Sequence, residues 1–496
     1  MKFVKALAAV LATAALAMGT VTASQAAGKS LTLGAIAKPT TLSYTQAEAG
    51  NRVWFFQASY DQLLHETENG TIVPWLATKW SYNSAQTVLT LTLRSGVKFT
   101  DGTALDAKAV VASLNAFKAG KGPTANYLDS MKSAAAKGSD TVVITLSDTD
   151  PAFVHYLANT AGTIGSPKST ATKPVGSGPY ILDTKKTVAG SKYVYTANPN
   201  YWNKSARKYD NLTINIYEDQ TALVNALRSG TVQGGNVADP SAAATLVGAG
   251  MKSSKSYVDA KGIYFNDRSG KRDSCIQSVY VRQAINMVFD RAALAKSLEN
   301  GTAQPTVQYI PSYNPGYDKS LDSLYPFDEA KAKTLMAKGG YAAGCTITMP
   351  TFAPYFGQAV YDIINAQLAK IKITVKEVAE SGGTFISNIL GNKYDAYLMQ
   401  FERSGEPWTL INFMLTKNAT FNQEGYANAA VTKAIADYKA ATADKRPAIL
   451  KTLNKALTTD AWFCVWYAKQ ANFVYKGVTI TAPQSGNIIP FLYNIK

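Results

Sequence analysis

Leu91-Thr92-Leu93-Arg94-Ser95-Gly96-Val97-Lys98-Phe99-Thr100-Asp101-Gly102 reads as a strand that runs into a tight turn. Upstream, Leu89 joins Leu91 and Leu93 on one face of a period-two run, and Val88, Thr90 and Thr92 fall on the other. Asp101-Gly102 is turn chemistry, because glycine tolerates a positive φ after an aspartate. The same alternation recurs at Val142, Ile144 and Leu146, and at Leu212, Ile214 and Ile216. Helical spacing takes over at Leu223 and Leu227, where Asp219 is an N-cap and Gly230 a stop. Further helical stripes run through Val281, Ile285 and Val288 and through Val360, Ile364 and Leu368, the last leading straight into a strand over Ile371 to Val375. Alternating strands and helices of this kind predict an α/β chain.

The 496 residues correspond to about three domains' worth of chain. Hydrophobic residues make up 46% and charged ones 17%, which excludes a disordered, collagen-like or coiled-coil chain. The net charge of +16 invites a nucleic-acid reading, but the lysines and arginines are dispersed, with no long basic run, so a solvated basic surface and no nucleic-acid partner are expected.

Lys2 and Lys5 followed by the apolar stretch Ala6 to Met18 read as a signal peptide, 1–26, with cleavage after Ala26. With no cysteine beside that point a lipoprotein anchor is not expected, and the product is placed in the periplasm. Of the three cysteines, Cys275, Cys345 and Cys464, two can pair there and one is left over; the spacing does not choose the pair.

The chemical motifs fail one by one. Gly28-Lys29-Ser30 has Ala23 where a phosphate-binding loop needs its first glycine, and Gly248-x-Gly250 has Ser253 where a dinucleotide fingerprint needs its third. Gly176-Ser177-Gly178 lacks the spacing of a nucleophile elbow. Only His65 and His155 exist, and Asn69 stands where the second histidine of a zinc helix belongs. No metal, cofactor or catalytic residue is expected, and the chain reads as a binder rather than an enzyme.

Seven segments in collinear order resemble the family 5 extracellular solute-binding proteins of ABC importers, the dipeptide, oligopeptide and nickel-binding group. They are Tyr60 to Leu64 (similar to the family's tyrosine-led first helix), Pro74 to Trp80, Leu91 to Gly102, Gly176 to Tyr180, Asn198 to Trp202, Phe265-Asn266, and Val281 to Ile285 with Asp290-Arg291. The resemblance implies a two-lobed periplasmic binding protein fold (cluster C type) with an extra subdomain in lobe I and a ligand cleft between the lobes. It implies lobe I over 27–262 with its subdomain at about 59–173, lobe II over 263–467, and a return to lobe I over 468–496. The charged, glycine-containing segment Asp267 to Asp273 is the expected crossing. The implied partners are a small-molecule solute and an ABC permease in the inner membrane, with the protein itself a monomer.

In the dipeptide-binding branch, an aspartate three residues before an acidic-proline pair meets the ligand's ammonium; before Glu406-Pro407 that place holds Arg403. An arginine between a Met-Pro strand end and a Pro-Tyr pair meets the ligand's carboxylate; between Met349-Pro350 and Pro354-Tyr355 that place falls on Ala353. Arg403 therefore points to a solute presenting an acidic group, unless it pairs with Glu402 or Glu406 instead. Phe352, Tyr355 and Phe356 on one side and Phe401 and Trp408 on the other are candidate walls for a ring or chain. From lobe I the resemblance offers the loop Ala49-Gly50-Asn51-Arg52, with Asn51 a polar contact and Arg52 a second anion contact. A receptor for a metal chelate or haem within the family is the nearer alternative; a periplasmic hydrolase is the more distant one.

Overall fold

A computed structural model describes residues 28–403, 405–481 and 487–496. The expected signal peptide lies outside the described residues. A nine-stranded mixed sheet is the backbone of the molecule, in the order Tyr180–Leu182, Lys192–Ala197, Asn211–Ile216, Ser30–Ala35, Gly234–Asn236, Phe463–Tyr475, Lys252–Phe265, Ala396–Glu402, with Gln304–Pro305 also beside Phe463–Tyr475. Ser30–Ala35 runs parallel to both of its neighbours, and the remaining pairings are antiparallel.

Two strands carry the chain from one half of the sheet to the other. Lys252 to Tyr257 pair with Tyr475 to Gln470 beside the N-terminal strands, whereas Asp259 to Phe265 pair with Glu402 to Ala396 on the C-terminal side. The register slips between Tyr257 and Asp259 and again between Lys261 and Gly262. A bulge adds a residue on one strand and bends it, so these two positions turn the long strands between the halves. The limits expected at 262 and 467 thus fall inside strands. Asp267 to Asp273 is not the crossing: it lies beyond the strand, pinned by Asp267, whose buried carboxylate accepts the Arg272 and Ser274 N–H groups at 3.1 and 2.9 Å.

Residues of the expected subdomain form a separate four-stranded sheet, Ala77–Tyr82, Val88–Leu93, Thr141–Leu146 and Met131–Lys137, against the helix Ala107–Ala119. Leu89, Leu91, Val142 and Ile144 are fully buried between them, as the alternation predicts. Gly102 takes φ +85° in the turn that follows the strand Val88–Leu93, with the Asp101 carboxylate accepting the Thr103 N–H. In the C-terminal half, Cys345–Thr351 and Ile373–Ala379 are parallel and joined by the helix Gln358–Ala369, whose Val360, Ile364 and Leu368 are buried. The strand starts at Ile373 rather than Ile371 because Lys372 takes a left-handed φ of +60°. Asp219 caps Gln220–Ser229 through the Ala222 N–H at 2.8 Å, and Gly230 ends it at φ +76°. Cys275 and Cys345 are bonded, and Cys464 is buried and free.

Tyr60 to Leu64 is extended rather than helical. The helix is Val53–Ser59, and Tyr60 ends it at φ −125°, ψ 150°. Asp61–Gln62 and Leu64–Glu66 then pair as short strands. The backbone of Gly176 and Gly178 lies against Ser59 and Tyr60 so closely that a Cβ on Gly178 would sit 2.4 Å from the Ser59 carbonyl carbon. Several of the recognisable segments meet at one buried carboxylate: Asp61 accepts from Trp75 Nε1 (2.8 Å), Ser177 Oγ (2.8 Å) and Tyr201 Oη (3.0 Å), and from Trp202. These residues hold the scaffold together. His65 is also structural, packed against Trp75 and Tyr493 at ring distances of 4.8 and 5.2 Å.

Candidate functional site

From the N-terminal lobe, Ala49 precedes the 3-10 turn Gly50–Arg52, which feeds the helix Val53–Ser59. Gly50 takes φ +59° to make that entry. Asn51 Oδ1 accepts from Asn236 Nδ2 at 3.0 Å, which fixes the loop to the end of the strand Gly234–Asn236. Arg52 is less available than expected: its Nη1 lies 3.0 Å from Glu48 Oε2, and its Nε donates to the Lys38 carbonyl at 2.8 Å. With Lys38, Lys173 and Tyr193 it lines a cavity of about 780 Å³ built wholly from N-terminal-lobe residues.

From the C-terminal lobe, Ala353 begins the short helix Ala353–Phe356, which presents Tyr355 to solvent at 64% exposure. The Phe352 and Tyr355 rings are parallel at 6.0 Å, and Phe356 meets Tyr355 edge-on at 4.7 Å. Phe401 is not a wall. Strand alternation turns it to the opposite face from Gln400 and Glu402, where it packs edge-on against Tyr264 (4.8 Å) and Phe421 (4.7 Å). Trp408 is likewise packed, parallel to Tyr438 at 6.0 Å. Glu406 caps the turn Pro407–Leu410 by accepting the Trp408 N–H at 2.9 Å, and burial holds its carboxyl above the usual range.

Arg403 is 2% exposed. Its Nη2 donates to the Tyr257 carbonyl at 2.9 Å and its Nε to the Val258 carbonyl at 3.3 Å. The expected alternative, a pair with Glu402 or Glu406, is not made, and among the described residues it has no carboxylate within 4.0 Å. The guanidinium is held against the first bulge of the crossing strand.

One set of residues escaped the sequence reading. Register places Asp259 opposite Glu402 and Lys261 opposite Gln400, and Asp259 accepts a hydrogen bond from the Gln400 amide. Beside them, Lys261 Nζ lies 3.9 Å and Lys469 Nζ 3.6 Å from the Glu299 carboxylate, and Lys261 stands 6.0 Å from the Phe356 ring. Burial depresses the Lys261 ammonium and raises the Asp259 carboxyl. Glu402, at the end of its strand, is exposed to solvent, and desolvation by the neighbouring chain together with the facing Asp259 charge raises its carboxyl. The signal was the recurrence of polar residues at period two, Asp259 with Lys261 and Gln400 with Glu402, inside otherwise apolar strands.

The lobes touch beyond this strip. Lys439 pairs with Asp148, Arg446 donates to Pro151 O and Gln86 Oε1 at 3.3 Å each, and Gln86 Nε2 donates to Ala440 O at 3.4 Å. A cavity of about 330 Å³ separates Tyr127, Asp150 and Tyr156 of the subdomain from Thr409, Asn412 and Phe413 opposite. Among the described residues there is no cluster of metal-ligating side chains and no helix long and apolar enough to cross a membrane.

Two lobes strung on a pair of long bent strands, with polar and aromatic groups where they face each other, define a two-lobed binding protein. The chain belongs to the bacterial extracellular solute-binding proteins, family 5, whose middle-region model matches residues 71–422. It is 27% identical over 473 residues to protein XP55 of Streptomyces lividans, covering 88% of this chain and 82% of that one. It is 29% identical over 277 residues to the dipeptide-binding protein of Pseudomonas aeruginosa, covering 52% of this chain and 50% of the relative, so this match spans half the relative's length. The solved structure of HbpA2 from Haemophilus parasuis superimposes with a TM-score of 0.81 at 20% identity, over 94% of this chain and 99% of that one, and shares its fold.

Proposed function

We propose that this chain is the exported, solute-capturing component of an ABC importer. It grips a small molecule between its lobes and delivers it unchanged to a membrane permease. The reading is carried by the family match joined to the architecture: two lobes connected by strands whose bulges let one half swing against the other. A solute that touches both lobes binds the closed form better than the open one and so shifts the population toward closure. No bond is made or broken.

Residues 1–26 would direct export to the periplasm, where the monomeric protein meets its solute and permease and has no nucleic-acid partner. The lobes are 27–262 with 468–496, and 263–467, with the subdomain at about 59–173 closing over the second lobe. Asn51, the pair Phe352 and Tyr355, and the segment around Arg403 are the surfaces offered to the solute. Arg403 replaces the carboxylate that meets a peptide ammonium in the dipeptide-binding branch, so an ammonium at that position is rejected. Its field favours a solute carboxylate nearby.

A thermal-shift screen of the purified protein tests this. Dipeptides, acidic sugar–amino-acid conjugates, sugars and metal chelates are each added, because a ligand that binds only the folded form raises the midpoint by mass action. An upward shift with recovery of the unaltered compound supports capture. Conversion of the compound to a product would contradict it.

A further inference from the structure

The cavity of about 780 Å³ on the N-terminal lobe has the size of a small-molecule site, and nothing in the capture of a solute between lobes uses it. Three pieces of chain enclose it: the loop Lys38 to Leu42 after the strand Ser30–Ala35, the loop Ala171 to Lys173, and the hairpin from Leu182 to Tyr193. Its lining comes from this lobe alone, so a ligand there is held without closure of the crevice. The floor is apolar and buried, made by Pro39, Leu42, Leu182 and the Tyr193 ring. At the hairpin tip Val188, between the lining residues Thr187 and Ala189, keeps 58% of its surface exposed.

The charge around this apolar floor has one sign. Among the described residues, Lys38, Arg52 and Lys173 line the cavity and no carboxylate does. Lys38 meets Glu218 at 3.0 Å, but both side chains are more than half exposed, and such a pair is weak. Lys173 makes no ion pair among the described residues. Arg52 is held in place from behind. Its Nε donates to the Lys38 carbonyl at 2.8 Å, and its Nη1 lies 3.0 Å from Glu48, whose buried carboxylate also accepts the Thr40 N–H at 3.0 Å. The remaining guanidinium nitrogen, Nη2, has no partner among the described residues.

We propose that this cavity is a second ligand site, separate from the crevice, and that it takes an amphipathic carboxylate: a hydrocarbon chain with one acidic head. The chain covers the floor of Pro39, Leu42 and Leu182 and removes apolar surface from water. The head meets Arg52 and Lys173, and a guanidinium already ordered by Glu48 loses little freedom when it binds. A cationic amphiphile would face three cations with no lining carboxylate to offset it. A small hydrophilic anion would leave the floor uncovered. The site binds one lobe only, so it stands or falls independently of the solute carried between lobes.

Calorimetric titration of the purified protein with octanoate at neutral pH tests this, and one octanoate per chain is expected. Octanamide keeps the chain and removes the charge, and should bind about tenfold more weakly. Hexanoate, two methylenes shorter, should also bind about tenfold more weakly. Octylamine should not bind. Two variants locate the site, both at exposed positions and both checked for folding by thermal unfolding. Ala189→Trp puts a large ring at the mouth and should abolish binding. Lys173→Gln removes one cation and should weaken octanoate about fivefold. Octanamide binding as tightly as octanoate would overturn the proposal, as would an affinity that ignores chain length. Octanoate that binds both variants as it binds wild type sits elsewhere, the crevice included, and would overturn it too. So would the absence of any binding at about 1 mM octanoate.

Discussion

Trp202 Nε1 donates to Asp61 Oδ2 at 2.9 Å across 141 residues of chain, and through that bond the Asn198 to Trp202 segment is tied to the end of the first buried helix. Three other donors fill the remaining sites of the same fully buried carboxylate. An amide at this position would turn its N–H₂ group toward an indole N–H whichever way it is oriented, Trp75 on one side or Trp202 on the other, and an indole N–H cannot accept. Asp61→Asn is therefore expected to destabilise the protein by roughly 3 kcal/mol, as for a broken buried network. Urea unfolding at neutral pH checks it.

The pH dependence near this hub has two opposed parts. Burial pushes the Asp61 carboxyl up to about 6, so its contribution to stability is fully present below about 4 and lost as the pH rises through about 6. Burial pushes His65 down to about 4, so its contribution is present above about 6.5 and lost as the pH falls toward 4. The two largely cancel in wild type. The difference in unfolding free energy between wild type and Asp61→Asn should grow on acidification. That between wild type and His65→Phe should shrink. Unfolding curves across this window for all three proteins decide both signs.

Arg446 is a stronger fastening between the lobes than Lys439. The Lys439–Asp148 pair is exposed, and such pairs contribute about 0–1 kcal/mol. Arg446 is half-buried and donates to Pro151 and Gln86 of the subdomain. Arg446→Ala is expected to favour the open form, raising the radius of gyration in small-angle scattering and weakening solute binding about fivefold, while Lys439→Ala changes either little. Equal effects from the two would contradict the assignment.

The bond between Cys275 and Cys345 closes a loop of 70 residues in the C-terminal lobe. Its loss is expected to cost about 4 kcal/mol on the chain-entropy relation. Burial lifts the Cys464 thiol to about 11, so iodoacetamide should leave the native protein unlabelled and modify a single cysteine after denaturation without reductant.

Local patterns were legible because neighbours in sequence decide them. The alternation at Leu89, Leu91 and Leu93, the Asp219 cap and the Gly230 stop are all settled within a few residues. The Tyr60 to Leu64 segment was misread because what keeps it extended is the backbone of Gly176 and Gly178, more than a hundred residues away. Pairing among three cysteines needed the fold. Proximity to Arg403 marked Phe401 as a site residue, but strand alternation turns it away from Gln400 and Glu402 and packs it against Tyr264 and Phe421. The Asp259 and Glu402 pairing rests on strand register, which no local pattern reveals.

The most direct test of the central claim is calorimetric titration of the purified protein with whichever solute the screen returns, followed by mass spectrometry of the released compound. The account predicts one solute per chain, recovered with its mass unchanged, and a fall in radius of gyration on binding. A changed mass, or binding with both lobes left apart, would contradict it.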